Sequence, residues 1–256
     1  MTQTDKAQAF SDLHVKGNPL VLYNIWDAGS AQAVAKAGAK AVATGSWSVA
    51  EAQGYRDGEA IPLDLLATIA ARIAVSVDVP VSVDFEGGYG VEPEILAKNI
   101  TRLIGTGIVG INFEDQQIGG EGLYDIHTQS ARINAIRAAA DAAGIALFIN
   151  ARTDLFLKEP DRAKHSALID ETLERAAAYA QAGASGFFAP GLVDRVLTEQ
   201  LCEVSTLPVN VMKIGGAAPL SELAELGVAR ISYGPGPYRQ AMSALTQRYE
   251  KAMSED

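Results

Sequence analysis

Cysteine is almost missing from this chain. Cys202 stands alone among 256 residues, which excludes an intrachain disulfide. It sits beside Leu201 in the helical pattern VDRVLTEQLCEVS and reads as a small buried hydrophobe, not a nucleophile. No run of 18 apolar residues occurs, so no membrane span is expected. The opening MTQTDKAQAF is polar and unlike a signal peptide, and the expectation is a soluble cytoplasmic protein. Basic residues are outnumbered: 21 Lys and Arg against 31 Asp and Glu leave a formal net charge of −10. That balance argues against nucleic acid or anionic membrane partners, where cations must neutralise phosphates. It leaves small anionic substrates open, because a bound dication reverses the sign locally. Histidine is scarce too, and His14, His127 and His165 have no metal-ligand spacing, which disfavours zinc. A glycine-rich dinucleotide turn is also lacking: NIWDAGSA, after the first strand-like run, has no G-x-G-x-x-G spacing.

What is present is a steady alternation. Strand-like runs PLVLYNIW (19–26), AVATGSW (41–47), PVSVDF (80–85), VGINFED (109–115), ALFINARTD (146–154), GFFAPG (186–191), PVNVMK (208–213) and ARISYG (229–234) are each followed by a helical pattern. Their apolar, Val/Ile/Phe-rich character predicts strands covered on both faces. Many helices stop at a glycine able to take the left-handed cap conformation: Gly38, Gly107, Gly144, Gly183 and Gly227. Eight β-then-α units without a linker predict α/β architecture, one (β/α)8 TIM barrel over residues 1–256 with a short N-terminal helix and a C-terminal helix. Irregular stretches at 48–61, 116–129 and 155–164 follow strands two, four and five, on the face where barrels build active sites. Gly119, Gly120 and Gly122 would let the second stretch move or pack closely.

Acids gather on that same face. Strand three delivers Asp84 and Glu86, two residues apart and so expected on one side of the strand. Gly87, Gly88 and Gly90 follow and keep the rim open. Strand four ends in Glu114 and Asp115, and the loop after strand two offers Asp57. One such acid reads as a solvated loop charge. Asp84, Glu86 and Glu114 together would repel each other unless a cation sits among them, and an all-oxygen set selects Mg²⁺ or Mn²⁺. Arg152, in INARTD, reads equally as an ion-pair partner for Asp154 or Glu114 and as a clamp for a substrate carboxylate. Gly45 and Ser46 suggest a nest of backbone N–H donors, and Trp47 a pocket wall.

These residues resemble a known set. TGSW (44–47), YRD (55–57), DFEGGYG (84–90), NFEDQ (112–116) and ARTD (151–154) match, in order and spacing, the isocitrate lyase/phosphoenolpyruvate mutase superfamily from about residue 18 to 240. GFFAPGL and GVARISYGPGPYRQA look like its small phosphonomutase-like bacterial members. The resemblance implies a Mg²⁺-dependent enzyme acting on a small 2-oxo or 2-hydroxy dicarboxylic acid through an enolate or oxyanion. It implies Asp84 as direct metal ligand, with Asp57, Glu86 and Glu114 holding the metal's water shell. Tyr23, Gly45, Ser46, Trp47, Asp84 and Arg152 would bind substrate, and Arg152, Glu114 and Asp57 would serve catalysis. It also implies a homo-oligomer, dimer or tetramer; family members exchange a C-terminal helix, and whether the short last helix here is exchanged is left open.

There are departures. Isocitrate and methylisocitrate lyases carry K-K-C-G-H on the loop after strand four. Here that loop reads QQIGGEGLYDIH, without Cys or Lys, so those two activities are not expected. The mutase loop's Lys and Asn are not recognisable either. An acid common after strand six is replaced by Ala189-Pro190-Gly191, which leaves Glu121, Tyr124 and His127 as candidate acid/base residues. The leading expectation is C–C cleavage. The rivals are P–C cleavage or mutase chemistry on phosphonopyruvate, oxaloacetate hydrolysis or decarboxylation, and a non-catalytic 2-oxo-acid binding protein.

Overall fold

The computed structural model describes residues 1–254. Strands β1 (Leu20–Leu22), β2 (Val42–Ala43), β3 (Val81–Asp84), β4 (Gly110–Glu114), β5 (Phe148–Arg152), β6 (Gly186–Phe188), β7 (Val209–Met212) and β8 (Arg230–Ser232) fall inside the eight expected runs. All pair in parallel in the order β1-β8-β7-β6-β5-β4-β3-β2. A single parallel bridge, Ile25 to Thr44, joins the two ends of that sheet. The result is a (β/α)8 barrel.

Helices α1 (Gln3–Asp12), α2 (Ala28–Lys36), α3 (Ser46–Ala52), α4 (Leu63–Ser76), α5 (Pro93–Ile104), α6 (Ile126–Ala142), α7 (Leu155–Lys158), α8 (Ile169–Gln181), α9 (Arg195–Val204), α10 (Leu220–Glu225) and α11 (Gly236–Met253) complete the chain. The five cap glycines named above all have positive φ, between 71° and 101°. Among the described residues no helix is long and apolar enough to cross a membrane.

The strands are not apolar on both faces. Their odd-numbered residues, such as Val81, Val83, Ile111, Phe113, Ile149, Val209, Val211 and Ile231, are buried in the hydrophobic core. Their even-numbered residues Ser82, Asp84, Asn112, Asn150, Asn210, Arg230 and Ser232 are buried and polar. Arg230 on β8 donates to Asn112 on β4, and these strands are not neighbours, so the bond crosses the barrel lumen. Branched aliphatics usually fill that lumen. Here amides and an arginine do.

The N-terminal helix α1 begins with a capping box, Thr2 and Asp5 bonding reciprocally. It brings Phe10 and His14 under the barrel. His14 stacks on Phe148 at 3.9 Å between ring centroids, and Phe10 meets Phe148 edge-on at 5.5 Å. A Cβ on Gly110 would stand 2.6 Å from the Phe10 ring, so only glycine lets this plug seat. At the other end of the chain, α11 buries only Pro237.

Candidate active site

A cavity of about 170 Å³ opens at the C-terminal end of the strands. Each strand sends one side chain into the lining, Asn112 from the middle of β4 and the others from the strand end or just past it: Asn24, Ser46, Asp84, Asn112, Arg152, Phe188, Met212 and Ser232. Gly45, Trp47, Asp57, Leu157 and Pro190 complete most of the wall. One flank is therefore polar and acidic, the other apolar.

Asp84 ends β3 and is buried. Its backbone N–H donates to Thr44 Oγ1 at 2.9 Å, and its Oδ2 accepts from the Ser46 N–H at 3.1 Å. Its Oδ1 is buried and has no hydrogen-bond partner among the described residues. Gly45 is the N-cap of α3, not part of an open nest. The first N–H of that helix is spent on Asp84, so Ser46 fixes the acid and does not offer that donor to a ligand.

Arg152 ends β5 between two acids. Its Nε and Nη2 donate to the two oxygens of Asp154 at 2.6 and 2.9 Å, a bidentate pair. Its Nη1 lies 2.9 Å from Glu114 Oε2. Burial alone would lower the guanidinium pKa, but Glu114 and Asp154 outweigh it and hold the group well above its ordinary range. Burial pushes the Glu114 carboxyl well up; Arg152 offsets this only in part, and Asp154, Asp84 and Glu86 add to the rise. Both readings of Arg152 thus meet at one residue: it is ion-paired, and it still faces the cavity.

Glu86 departs from strand alternation. β3 stops at Asp84, and Glu86 turns into the left-handed region with φ of 51°, which costs a non-glycine residue about 1–2 kcal/mol. Its carboxylate Oε2 accepts from the N–H groups of Gly58 and Glu59 at 2.9 and 2.8 Å. Glu59 Oε1 in turn accepts from the Tyr89 N–H at 2.8 Å. The two loops therefore pin each other, and Asp57 is carried to the cavity mouth. Burial, then Asp84 and Asp57, push the Glu86 carboxyl up to about 8. Asp57 is exposed at the mouth but crowded, and its carboxyl is raised by desolvation and by Asp84.

Among the described residues no three Asp, Glu, His or Cys side chains converge closely enough to ligate one ion directly. The donor set still fits a hard dication that keeps most of its water. Mg²⁺ commonly takes one or two carboxylates and retains several waters. Asp84 Oδ1 offers a buried, unspent carboxylate oxygen. The raised carboxyls of Glu86, Glu114 and Asp57 mark an acidic cup short of positive charge.

Several expected residues stand elsewhere. Tyr23 points out of the barrel: it is 40% exposed and its hydroxyl donates to Gln240 Oε1 at 3.0 Å. The neighbouring Asn24 takes the inward place. Glu86 and Glu114 sit behind the lining, not in it. Asp115 accepts from the Tyr179 hydroxyl at 2.9 Å, the Arg175 Nη1 at 3.2 Å and the Asp154 N–H at 3.0 Å, a buried structural network. The 116–129 stretch is a tight hairpin, bridged Gln116 to Leu123 and tied by Gln117 N–H to Gly122 O. Glu121, Tyr124 and His127 do not line the cavity; His127 already belongs to α6, and Tyr124 stacks under Arg132. Asn112, Phe188, Met212 and Ser232 went unassigned.

The sequence pattern described as phosphoenolpyruvate phosphomutase matches residues 10–253. The chain belongs to the phosphoenolpyruvate phosphomutase family. Its named relatives include lyases and decarboxylases, and the chain is an enzyme of the same superfamily. A Burkholderia cenocepacia J2315 crystal structure, provisionally described as a phosphonomutase, is 48% identical, with a TM-score of 0.95 over 98% of this chain and 99% of that one. The uncharacterized protein Rv1998c of Mycobacterium tuberculosis is 35% identical over 92% of this chain and 85% of its own. Escherichia coli 2-methylisocitrate lyase is 28% identical over 91% and 78%. A phosphonopyruvate hydrolase structure with oxalate and Mg²⁺, 17% identical, shares the fold with a TM-score of 0.85 over 100% of this chain and 88% of that one. In this chain the stretch after β4 is tied into a hairpin, and the turn after β6 is Ala189-Pro190-Gly191, with Ala189 buried.

Proposed function

We propose that this protein is a Mg²⁺-dependent lyase that cleaves a C–C bond of a small 2-oxo or 2-hydroxy dicarboxylic acid. The observation that carries this reading is Asp84 Oδ1, a buried carboxylate oxygen with no partner among the described residues, at the centre of an acidic cup that opens into the cavity. Asp84 would hold the ion directly, with Asp57, Glu86 and Glu114 reaching it through water. When bound, Mg²⁺ would supply a Lewis acid for the ligand's carboxylate and C2 oxygen. Arg152 supplies fixed N–H donors and positive charge where negative charge develops on the substrate, preorganised by Glu114 and Asp154. Trp47, Leu157, Phe188, Pro190 and Met212 exclude water from the carbon skeleton. The 2-methylisocitrate lyase relationship supports C–C chemistry. The 48% identical phosphonomutase-like structure favours a second reading, P–C cleavage of phosphonopyruvate.

Turnover of a panel containing oxaloacetate, alkylmalates and phosphonopyruvate separates these readings. Pyruvate or 2-oxobutyrate incubated with enzyme and Mg²⁺ in D₂O should exchange C3 protons. Asp84→Ala should abolish exchange, turnover and Mg²⁺ binding together; Mg²⁺ dependence surviving that substitution overturns the assignment. The chain should also assemble as a homo-oligomer in the cytoplasm. The exposed apolar residues Met242, Leu245, Tyr249 and Met253 on the otherwise unburied α11 support contact with a second copy, and light scattering checks it.

A further inference from the structure

Arg230 is 1% exposed and lies in the barrel lumen beneath the cup. Its Nη2 donates to Asn112 Oδ1 at 3.0 Å, while Nε and Nη1 have no hydrogen-bond partner among the described residues. An arginine has only donors. The Asn112 atom facing it must therefore be the carbonyl oxygen, whatever the amide would otherwise prefer. The same oxygen accepts from Asn150 Nδ2 at 2.9 Å, and Asn150 Nδ2 also donates to Asn210 Oδ1 at 2.9 Å. Asn210 Nδ2 then donates to backbone carbonyls of Val211 and Arg230. The guanidinium at one end and the backbone carbonyls of Val211 and Arg230 at the other thus fix the three amides in the same direction.

The consequence falls on the other end of Asn112. Its Oδ1 is spent below, its side chain lines the cavity, and among the described residues its Nδ2 makes no hydrogen bond. Asn112 is the direct register partner of Asp84 on the neighbouring strand. A donor-only amide face is therefore presented beside the acid at the centre of the cup.

We propose that Asn112 recognises the ligand: its Nδ2 donates to a carboxylate or carbonyl oxygen of the acid bound beside Asp84, and Arg230, together with Asn150, is a positioning residue that holds it turned there. This rests on the metal reading of the cup and adds a specificity element to it. The site accepts an oxygen acceptor at this wall and rejects a donor, so a 2-oxo acid is favoured over its 2-amino counterpart.

The test uses two nearly isosteric probes, oxalate and oxamate, titrated calorimetrically into the full chain with MgCl₂. In oxamate one carboxylate is an amide and brings N–H donors. Asn112→Asp keeps the shape and pairs with Arg230 but offers the cavity an acceptor. It should weaken oxalate by about 10- to 100-fold, the loss of one charge-assisted hydrogen bond, and weaken oxamate much less. Mg²⁺ affinity without oxalate should not fall. Asn112→Ala should lose oxalate affinity too, and supplies the reading should the Asp variant not fold. Arg230→Gln, which removes one of the two donors holding Asn112 Oδ1 and leaves Asn150 as the other, should weaken oxalate in the wild-type background and have no such effect in the Asn112→Ala background. Oxalate affinity unchanged in both Asn112 variants, or equal losses for both probes, would overturn the proposal while leaving the cup intact. Wild-type protein that binds no oxalate with Mg²⁺ removes the metal reading itself, and this inference with it.

Discussion

At the rim of the barrel Arg152 is gripped by Glu114 and Asp154, and the surrounding carboxyls are pushed upward by burial and by one another. At the floor Arg230 makes no ion pair among the described residues, and burial lowers its pKa to about 9 with only Asp84 acting against it. Beside it His14 is kept neutral, its pKa lowered to about 3 by burial and by Arg230. The rim crowds buried carboxyls around one paired arginine. The floor spends packing on sealing the lumen, and its one charge orients amides. On the proposed function, chemistry belongs to the rim and stability chiefly to the floor of the same strands, and substitutions at the two ends should fail in different ways.

The largest effect should come from the rim. Arg152→Lys replaces a planar fork with a point charge that cannot satisfy Asp154 bidentately while reaching Glu114. Turnover should fall about 10²- to 10³-fold, as for loss of a preorganised donor. Steady-state kinetics on whichever panel member is turned over checks this; an intact kcat would place the chemistry elsewhere. Phe10→Ala at the floor should lower unfolding free energy by about 3–5 kcal/mol, the range for deleting a buried phenyl group. Turnover per folded molecule should stay unchanged, as urea unfolding and kinetics on the same sample would show. If Phe10→Ala instead cut kcat while stability held, the division between the ends would be lost.

The smallest effect is a pH slope. An unfolded imidazole titrates near 6.5, whereas folded His14 does so at about 3. Between these values the unfolded chain carries the extra proton, so the contribution is full above about pH 6.5 and is lost as pH falls. At pH 5 the loss is roughly 2 kcal/mol, at about 1.4 kcal/mol per unit. His14→Phe should flatten this part of the stability–pH curve, and thermal melts from pH 7 to 5 would show it.

Much of the fold was legible because each βα unit carries its own punctuation: an apolar run, an amphipathic stretch and a glycine that must take positive φ. Helix α3 was not, because it is only 7 residues long and starts directly after Gly45 with no side-chain cap. The cup acids were legible as residue types at strand ends, but Glu86 reaches its place through a left-handed turn that no strand periodicity anticipates. Tyr23 was a one-residue slip. Leu20 and Leu22 are the buried positions of β1, so the same parity points to Asn24. Carried around the barrel, that even parity would also have found Asn112, Phe188, Met212 and Ser232. The amide directions were not legible at all, since they depend on a bond between strands β4 and β8 on opposite walls.

The seam between β1 and β2 has one further consequence. Where other neighbouring strands share a ladder, these two share one bridge, and Asn24 compensates with its side chain: Nδ2 donates to Thr44 O at 2.9 Å, and Oδ1 accepts the N–H groups of Tyr233 and Gly234 at 2.8 and 2.9 Å. A substrate cradled between Asn24 and Ser46 would straddle that clasp. Occupancy would then act as a hoop on the staves, and amide-proton exchange along the first two strands should slow whenever the cavity is filled.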